Sequence, residues 1–146
     1  MICKGGGGCR AITLTTNIDN IVGTSGNDTI LGDFGVTGQV SAADQINGGA
    51  GTDELQLYGS FGTLPTTISN VEKLNLSGYG EAKSINVAAL SGVTDVILRN
   101  QTTVSGDTTV TVATGQTLTL NTVQSSSGDQ AGSGEGGVSE FLCKRV

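Results

Sequence analysis

The feature that most constrains the fold is a glycine-rich nonapeptide at residues 48–56, Gly-Gly-Ala-Gly-Thr-Asp-Glu-Leu-Gln. It matches the pattern Gly-Gly-x-Gly-x-Asp-x-U-x, where U is a large apolar residue. The glycines let the backbone turn tightly and bring several carbonyl oxygens together. Asp53 adds a negative charge to that turn, which suits a hard cation. Leu55 and Leu57 follow at a period of two, which predicts a short strand with one buried face.

A second copy of this design lies upstream, at residues 23–31, with Thr24 in place of the second glycine. The tail of the motif, Asp-x-apolar, occurs four times, at Asp19, Asp28, Asp44 and Asp53. The first two copies lie nine residues apart, as do the last two, and nine residues make one turn-plus-strand unit. We interpret them as two pairs of half-coils. The copies that end at Asp19 and Asp44 lack the glycines and are weaker ligand candidates.

Composition favours thin stacked sheets over an ordinary globular core. The chain has 24 glycines in 146 residues, and only 3% of its residues are aromatic. Short alternating runs of Thr, Val, Ile and Leu suit narrow aliphatic sheets. We therefore predict an all-β fold, a parallel β-solenoid (β-roll or β-helix) with short irregular coils and flexible Gly-rich tails. The strand spacing would also suit an antiparallel sandwich, but the nonapeptides favour the solenoid.

The chain divides into four predicted segments. These are a flexible tail at 1–11, the solenoid repeat domain at 12–124, a Gly/Ser-rich linker at 125–137 and a terminal segment at 138–146. The length fits one domain or a fragment of a longer array. In the terminal segment, Phe141 and Leu142 are candidates to cap one end of the solenoid or to dock on a neighbouring subunit.

The cysteines lie only in the tails, at Cys3, Cys9 and Cys143. An odd number leaves one thiol free or paired between chains. Their spacing, with no histidine in the chain, does not indicate a zinc site. The sequence leaves open whether two of them form an intramolecular disulfide.

Charge and residue content exclude several functions. A net charge of −6 does not fit the usual basic nucleic-acid-binding surface. No apolar run reaches the roughly 18 residues of a membrane span, and the N-terminus carries no apolar segment of a Sec-type signal peptide. Without histidine, a Ser-His-Asp triad or a Cys-His pair is impossible. A carboxylate pair could serve a glycosidase, but the acids fall in turns and aromatics to hold a sugar are scarce. We predict that the chain is not an enzyme.

These motifs resemble RTX calcium-binding repeat proteins and, more closely, the repeat domains of bacterial surface-layer proteins exported by type I secretion. The two nonapeptides carry the resemblance most specifically, with support from 12–16, 68–76 and 90–94. It extends from Ile12 to about Leu120. The resemblance implies a protein of the bacterial cell surface, secreted and assembled from many copies.

The resemblance also implies Ca²⁺ between the turns of successive coils, bound by backbone oxygens of the Gly-rich positions and by the carboxylate of the sixth. On this chain the matching positions are Gly48, Ala50, Gly51 and Asp53, and likewise Gly23, Ser25, Gly26 and Asp28. Asp33, Asp19 and Asp44 are accessory candidates. The alternative is that these turns are glycine corners in which each aspartate accepts hydrogen bonds from its own backbone, as Asx turns do.

Two classes of function follow. The first is a structural, calcium-stabilised and secreted β-solenoid that self-assembles into a surface layer or filament, with copies of itself as partners, a cell-surface polysaccharide as a possible further partner, and neither nucleic acid nor membrane. The second is an extracellular binding module, adhesin-like or ice-binding, with a Thr-rich face at 108–112 and 117–120. Ice binding needs threonine rows on equal coils, and the strand spacing is unequal. Assembly is therefore favoured.

Overall fold

The computed structural model describes residues 8–59, 62–78, 84–90, 92–103, 108–125 and 141–145. Most of the predicted tail (1–11) and linker (125–137) lies outside these ranges. The described strands are β1 (Ala11–Thr13), β2 (Asn20–Val22), β3 (Thr29–Asp33), β4 (Gln45–Asn47), β5 (Glu54–Tyr58), β6 (Thr67–Ser69), β7 (Lys73–Ser77), β8 (Ser84–Asn86), β9 (Asp95–Thr103), β10 (Thr108–Val112), β11 (Thr117–Ser125) and β12 (Phe141–Arg145).

The strands alternate between two sides of the molecule. Odd-numbered strands form one six-stranded sheet in the order β1-β3-β5-β7-β9-β11. Even-numbered strands form two three-stranded sheets, β2-β4-β6 and β8-β10-β12. Every strand pair in the described ranges is parallel. The predicted all-β solenoid is confirmed, and the antiparallel sandwich is wrong.

The core forms because alternate residues of each strand point inwards and stack on the same positions of the next coil. In β5, Leu55 and Leu57 are buried, whereas the side chain of Gln56 lies between them on the outer face. The register places Leu55 beside Ile30 and Leu74. A single continuous aliphatic core follows from this stacking.

Two kinds of corner join the sheets. We call the three stacked turns that lead into β3, β5 and β7 the motif corner; they comprise the first glycine turn (residues 23–28), the second glycine turn (48–53) and a shorter third turn (70–72). The turns that lead into β2 and β4 form the opposite corner. The nine-residue repeats therefore alternate between the two corners, so equivalent turns are stacked one full coil apart.

The segments near the two ends of the chain contribute a strand and a disulfide bond. The terminal segment supplies β12, which pairs with β10 so that Cys143 lies opposite Val110. Cys9, just before β1, is disulfide-bonded, and its partner is not among the side chains that the structure describes.

Candidate metal centre

The two glycine turns are neighbours on adjacent coils. The amide of Ala50 donates to the carbonyl of Thr24 at 3.0 Å, and the amide of Glu54 donates to the carbonyl of Asp28 at 2.9 Å. These backbone hydrogen bonds hold the second turn directly against the first. The two nonapeptides recognised in the sequence therefore form one continuous feature of the motif corner.

A ladder of carboxylates runs along this corner. Asp28 Oδ1 accepts the N–H of Arg10 at 2.6 Å, and Asp53 Oδ1 accepts the N–H of Asp28 at 2.7 Å. Glu72 Oε2 accepts the N–H of Asp53, also at 2.7 Å. Each acid immediately precedes a strand of the six-stranded sheet and binds the backbone of the coil before it. These carboxylates thus accept hydrogen bonds from backbone amides just before each strand, where the hydrogen bonds between neighbouring strands have not yet begun.

Glu72 was not predicted as part of this site. It lies in the Val71-Glu72-Lys73-Leu74 stretch, directly before β7, just as Asp53 lies directly before β5. The signal in the sequence was the shared position before an alternating strand. It was hidden because the third turn lacks glycines and because the acid is a glutamate.

The carboxylate of Asp28 is fully engaged. Its Oδ2 accepts the N–H of Thr24 in a short hydrogen bond, and the Thr24 hydroxyl lies 3.1 Å from Oδ1 while also contacting the carbonyl of Gly8. Burial acts to raise the pKa of Asp28, but the hydrogen bonds from Thr24 and from the Arg10 amide, with the Arg10 charge, hold it below the ordinary value. Asp28 is therefore a stable carboxylate.

Asp53 occupies the equivalent position with a different outcome. Its side chain is 0% exposed, and Oδ2 has no hydrogen-bond partner among the described residues. Burial raises the pKa of Asp53, and the neighbouring charges of Asp28 and Glu72 raise it further, against the opposing effect of the Asp28 amide. A buried carboxylate oxygen without a donor costs free energy unless a proton or a cation neutralises it.

The unpartnered Asp53 Oδ2 lies beside Gly48, and any side chain at position 48 would fill the space next to this oxygen. A Cβ added to Gly48 would stand 2.6 Å from Asp53 Oδ2 and 1.9 Å from the carbonyl oxygen of Asn70. Asn70 adopts a φ of 49°, a left-handed conformation that is uncommon for a non-glycine residue. Two oxygens thus converge beside Gly48. The first turn has the same surroundings: a Cβ added to Gly23 would stand 1.9 Å from the carbonyl oxygen of Gly48 and 2.6 Å from Asp28 Oδ2.

The other predicted positions of the glycine turns serve the backbone. Gly51 has a φ of 125° and lies against the backbone of Gly26. The N–H of Gly26 donates to the Thr24 hydroxyl at 3.2 Å. Ala50 and Ser25 are exposed. These residues shape the turns, and the groups among them that could bind a cation are their carbonyl oxygens and the hydroxyl of Ser25.

Asp19 and Asp44 lie at the opposite corner and form a ladder of their own. Asp44 Oδ1 accepts the N–H of Asp19 at 3.0 Å, and Oδ2 accepts the N–H of Ser41 at 2.8 Å. Asp19 accepts the N–H of Thr15 at 2.7 Å. Asp33, at the end of β3, accepts the N–H of Gly35 at 2.7 Å. At these three positions the aspartate accepts hydrogen bonds from backbone amides, and Asp33 alone of the three does so in the Asx-turn pattern, from the residue two positions ahead.

Whether a metal ion can bind at either glycine turn depends on the ligand atoms that the turn offers. Among the described residues, no three His, Cys, Asp or Glu side chains group so as to hold a metal ion. Ca²⁺ takes carboxylate and backbone carbonyl oxygens, and the second turn offers one free carboxylate oxygen beside the carbonyl of Asn70. Ca²⁺ takes about six to eight such oxygens, so these two would supply only part of a site. In the first turn the carboxylate of Asp28 already accepts internal donors.

Comparisons with known proteins give no further guide to this site. No protein-family model matches the chain, and no curated protein or solved structure shows significant similarity to it. Within the described residues, no helix is long and apolar enough to cross a membrane.

Proposed function

We propose that this chain is a structural, calcium-stabilised β-solenoid, secreted to a cell surface, whose copies assemble end to end into a layer or filament. The observation that carries the proposal is that the core remains open at the ends of the described solenoid. Leu120 of β11 is 40% exposed, although the residue beside it in the register, Leu98, is fully buried. Among the described residues, no further coil covers this inward-facing leucine as β11 covers Leu98.

The N-terminal coil is open in the same way. Ile12 of β1 and Ile21 of β2 pack against the core but are only partly buried. Their neighbours in the register, Ile30 and Ile46, are buried. Among the strands that the structure describes, β1 pairs on one side only, as does β11. Each of these strands presents unpaired backbone groups together with apolar side chains, which is the usual template for strand addition.

The parallel topology makes the two ends complementary. Because all six strands of the long sheet run in one direction, β11 of one copy can pair in parallel with β1 of the next. Such a head-to-tail contact uses two different surfaces and does not close by symmetry, so it builds an open polymer. The end coils would then bury apolar surface worth about 25 cal/mol per Å².

Ca²⁺ would contribute at the second glycine turn. When bound, it would supply positive charge to the buried carboxylate ladder. Asp53 and the carbonyl of Asn70 would hold it, and Gly48 would keep the space open. Binding only to the folded chain would stabilise the solenoid by mass action, and rigid coils would favour stacking.

Assembly is tested by light scattering and electron microscopy of the full chain with Ca²⁺ and with chelator. We expect filaments or sheets that grow with protein concentration. Leu120→Lys should block growth because it places a charge in the end contact. The matched control is Thr119→Lys, on the outward face of the same strand, which should still assemble. A monomer at all concentrations, or equal growth of both variants, would contradict the proposal.

A binding module is the second candidate, favoured by a cavity of about 480 Å³ whose described lining residues carry no charge. It lies between residues 62–66, which precede β6, and residues 84–90, which begin with β8. Its lining combines the polar residues Thr63, Thr66, Ser84 and Asn86 with aliphatic residues. Such a lining suits a neutral, hydroxyl-rich ligand, such as a cell-surface polysaccharide. Co-sedimentation with insoluble cell-wall polysaccharide tests this: Asn86→Ala should reduce binding, and Asn20→Ala, remote from the cavity, should not.

A further inference from the structure

The two glycine turns differ at two positions that decide where one backbone N–H points. Val22 and Asn47 are paired neighbours in β2 and β4. Thr24 and Gly49 follow each of them by two residues. The four residues therefore form two equivalent pairs, Val22–Thr24 and Asn47–Gly49, at the start of the two turns.

In the second turn the amide of residue 49 is directed away from the aspartate. Asn47 Oδ1 accepts the N–H of Gly49 at 3.0 Å and an N–H of the Asn70 side chain at 2.8 Å. Gly49 has a φ of 98°, a conformation that favours glycine. With that amide committed to Asn47, Asp53 Oδ2 is left buried without a donor.

In the first turn the same amide is directed towards the aspartate. Val22 has no side-chain acceptor, and Thr24 is not among the residues with a positive φ. The N–H of Thr24 therefore donates to Asp28 Oδ2, and its hydroxyl lies beside Oδ1. The N–H of Thr24 thus supplies at Asp28 Oδ2 the donor that Asp53 Oδ2 lacks.

We propose that these two pairs decide which turn binds a divalent cation: Asn47–Gly49 leave the Asp53 site open for one Ca²⁺, and Val22–Thr24 close the equivalent site at Asp28. This inference rests on the calcium binding of the proposed function. It assigns to Thr24 the role of an internal substitute for the metal. It also makes Asn47 a positioning residue, which acts by holding the Gly49 amide away from Asp53.

The test converts the closed turn into the open type. In the double variant Val22→Asn with Thr24→Gly, the new asparagine can accept the amide of residue 24, and Asp28 Oδ2 loses its donor. Val22 is largely exposed, so its replacement should not disturb the core. Calorimetric titration with Ca²⁺ should show a rise from about one to about two ions per chain. The control is Thr24→Ser, which keeps both donors and should remain at about one ion.

The converse variant closes the open turn without touching a carboxylate. Asn47→Val places at position 47 the residue found at position 22. The Gly49 amide is then free to turn towards Asp53, and the affinity for Ca²⁺ should fall by about tenfold or more. Unchanged affinity would overturn the role of Asn47.

The outcomes separate this inference from the proposed function. One ion in the unmodified chain and one in the folded double variant would overturn the inference and leave the calcium proposal standing. No binding by the unmodified chain would overturn both. Circular dichroism of each variant confirms that the β-structure is retained before its titration is interpreted.

Discussion

The first and second glycine turns share one backbone arrangement and differ in how the aspartate is satisfied. In each, a glycine lies against the carbonyl of the next coil, and an aspartate accepts the amide of the coil before. Asp28 also receives donors from Thr24, whereas Asp53 has an oxygen with no donor. The two turns are therefore similar in sequence, but the pKa of the aspartate is lowered in the first and raised in the second. One turn stabilises an internal negative charge, and the other needs a neutralising partner.

The largest loss of unfolding free energy is expected from substitution of Gly23 or Gly48, the glycines at which the two turns are alike. Gly48→Ala or Gly23→Ala would place a methyl group 1.9 Å from a backbone carbonyl oxygen of the next coil. Because that carbonyl is held by the stack, each variant should lose roughly 3 kcal/mol of unfolding free energy or more. Urea unfolding measures this. Gly8→Ala, with nothing within 4 Å of the added Cβ, is the control, and a tolerated Gly48→Ala would contradict the stacked geometry.

Amide substitution should separate the two turns by the sign of its effect. In Asp28→Asn, an NH₂ group at Oδ2 would face the N–H of Thr24, and the loss should be about 1–3 kcal/mol. In Asp53→Asn, the NH₂ group would face the carbonyl of Asn70. Without Ca²⁺ that variant should be as stable as the unmodified chain or more so. Unfolding curves in chelator provide the comparison, and equal destabilisation of both variants would remove the distinction between the turns.

Calcium should act through the second turn more than through the opposite corner. At free Ca²⁺ about 100-fold above the dissociation constant, the stabilisation should be about 2.7 kcal/mol, which raises Tm by several degrees. Asp53→Ala should abolish most of that rise. Asp19→Ala should keep it, because Asp19 accepts the donors of Thr15 at a separate corner. Identical melts of the unmodified chain with Ca²⁺ and with chelator would exclude the metal.

The pH dependence in chelator should be the smallest effect and opposite in sign at the two turns. The pKa of Asp28 is lowered from 3.8, so its stabilisation is present above that value and is lost as the pH falls through the lower pKa of the folded state. The pKa of Asp53 is raised from 3.8, so the folded chain gains stability as the pH falls through that raised value and loses it as the pH rises. Asp53→Asn should remove the loss on the alkaline side. Urea midpoints between about pH 2 and 8 test both signs.

Much of the local structure could be read from the sequence. The short strand predicted at Leu55 and Leu57 is β5 (Glu54–Tyr58), and each Asp-x-apolar tail marks the start of a strand, from β2 to β5. Two strands were missed. β6 (Thr67–Ser69) is short and follows a proline-containing loop, and β12 (Phe141–Arg145) has no turn motif before it. Both form by pairing with strands distant in the sequence, so local patterns did not reveal them.

The site was predictable in its residue types but not in its pairing. The sequence nominated Asp19, Asp28, Asp44 and Asp53 together, and the nine-residue spacing by itself does not show which of them are neighbours. The solenoid places Asp28 with Asp53 and Asp19 with Asp44, each pair a full coil apart. It also adds Glu72, which shares the corner only because β7 stacks on β5.

The sequence by itself determined where the chain turns and which face of each strand is apolar, because glycine conformations and side-chain alternation are properties of a few adjacent residues. The tertiary structure alone decided which carboxylate is left without a donor. That outcome depends on whether residue 22 or 47 can accept an amide two positions ahead and on which carbonyl the next coil presents. The length of every intervening loop sets those contacts, so no single motif encodes them. Asp28 and Asp53 therefore occupy the same place in the motif, and only the stacked coils make them chemically different.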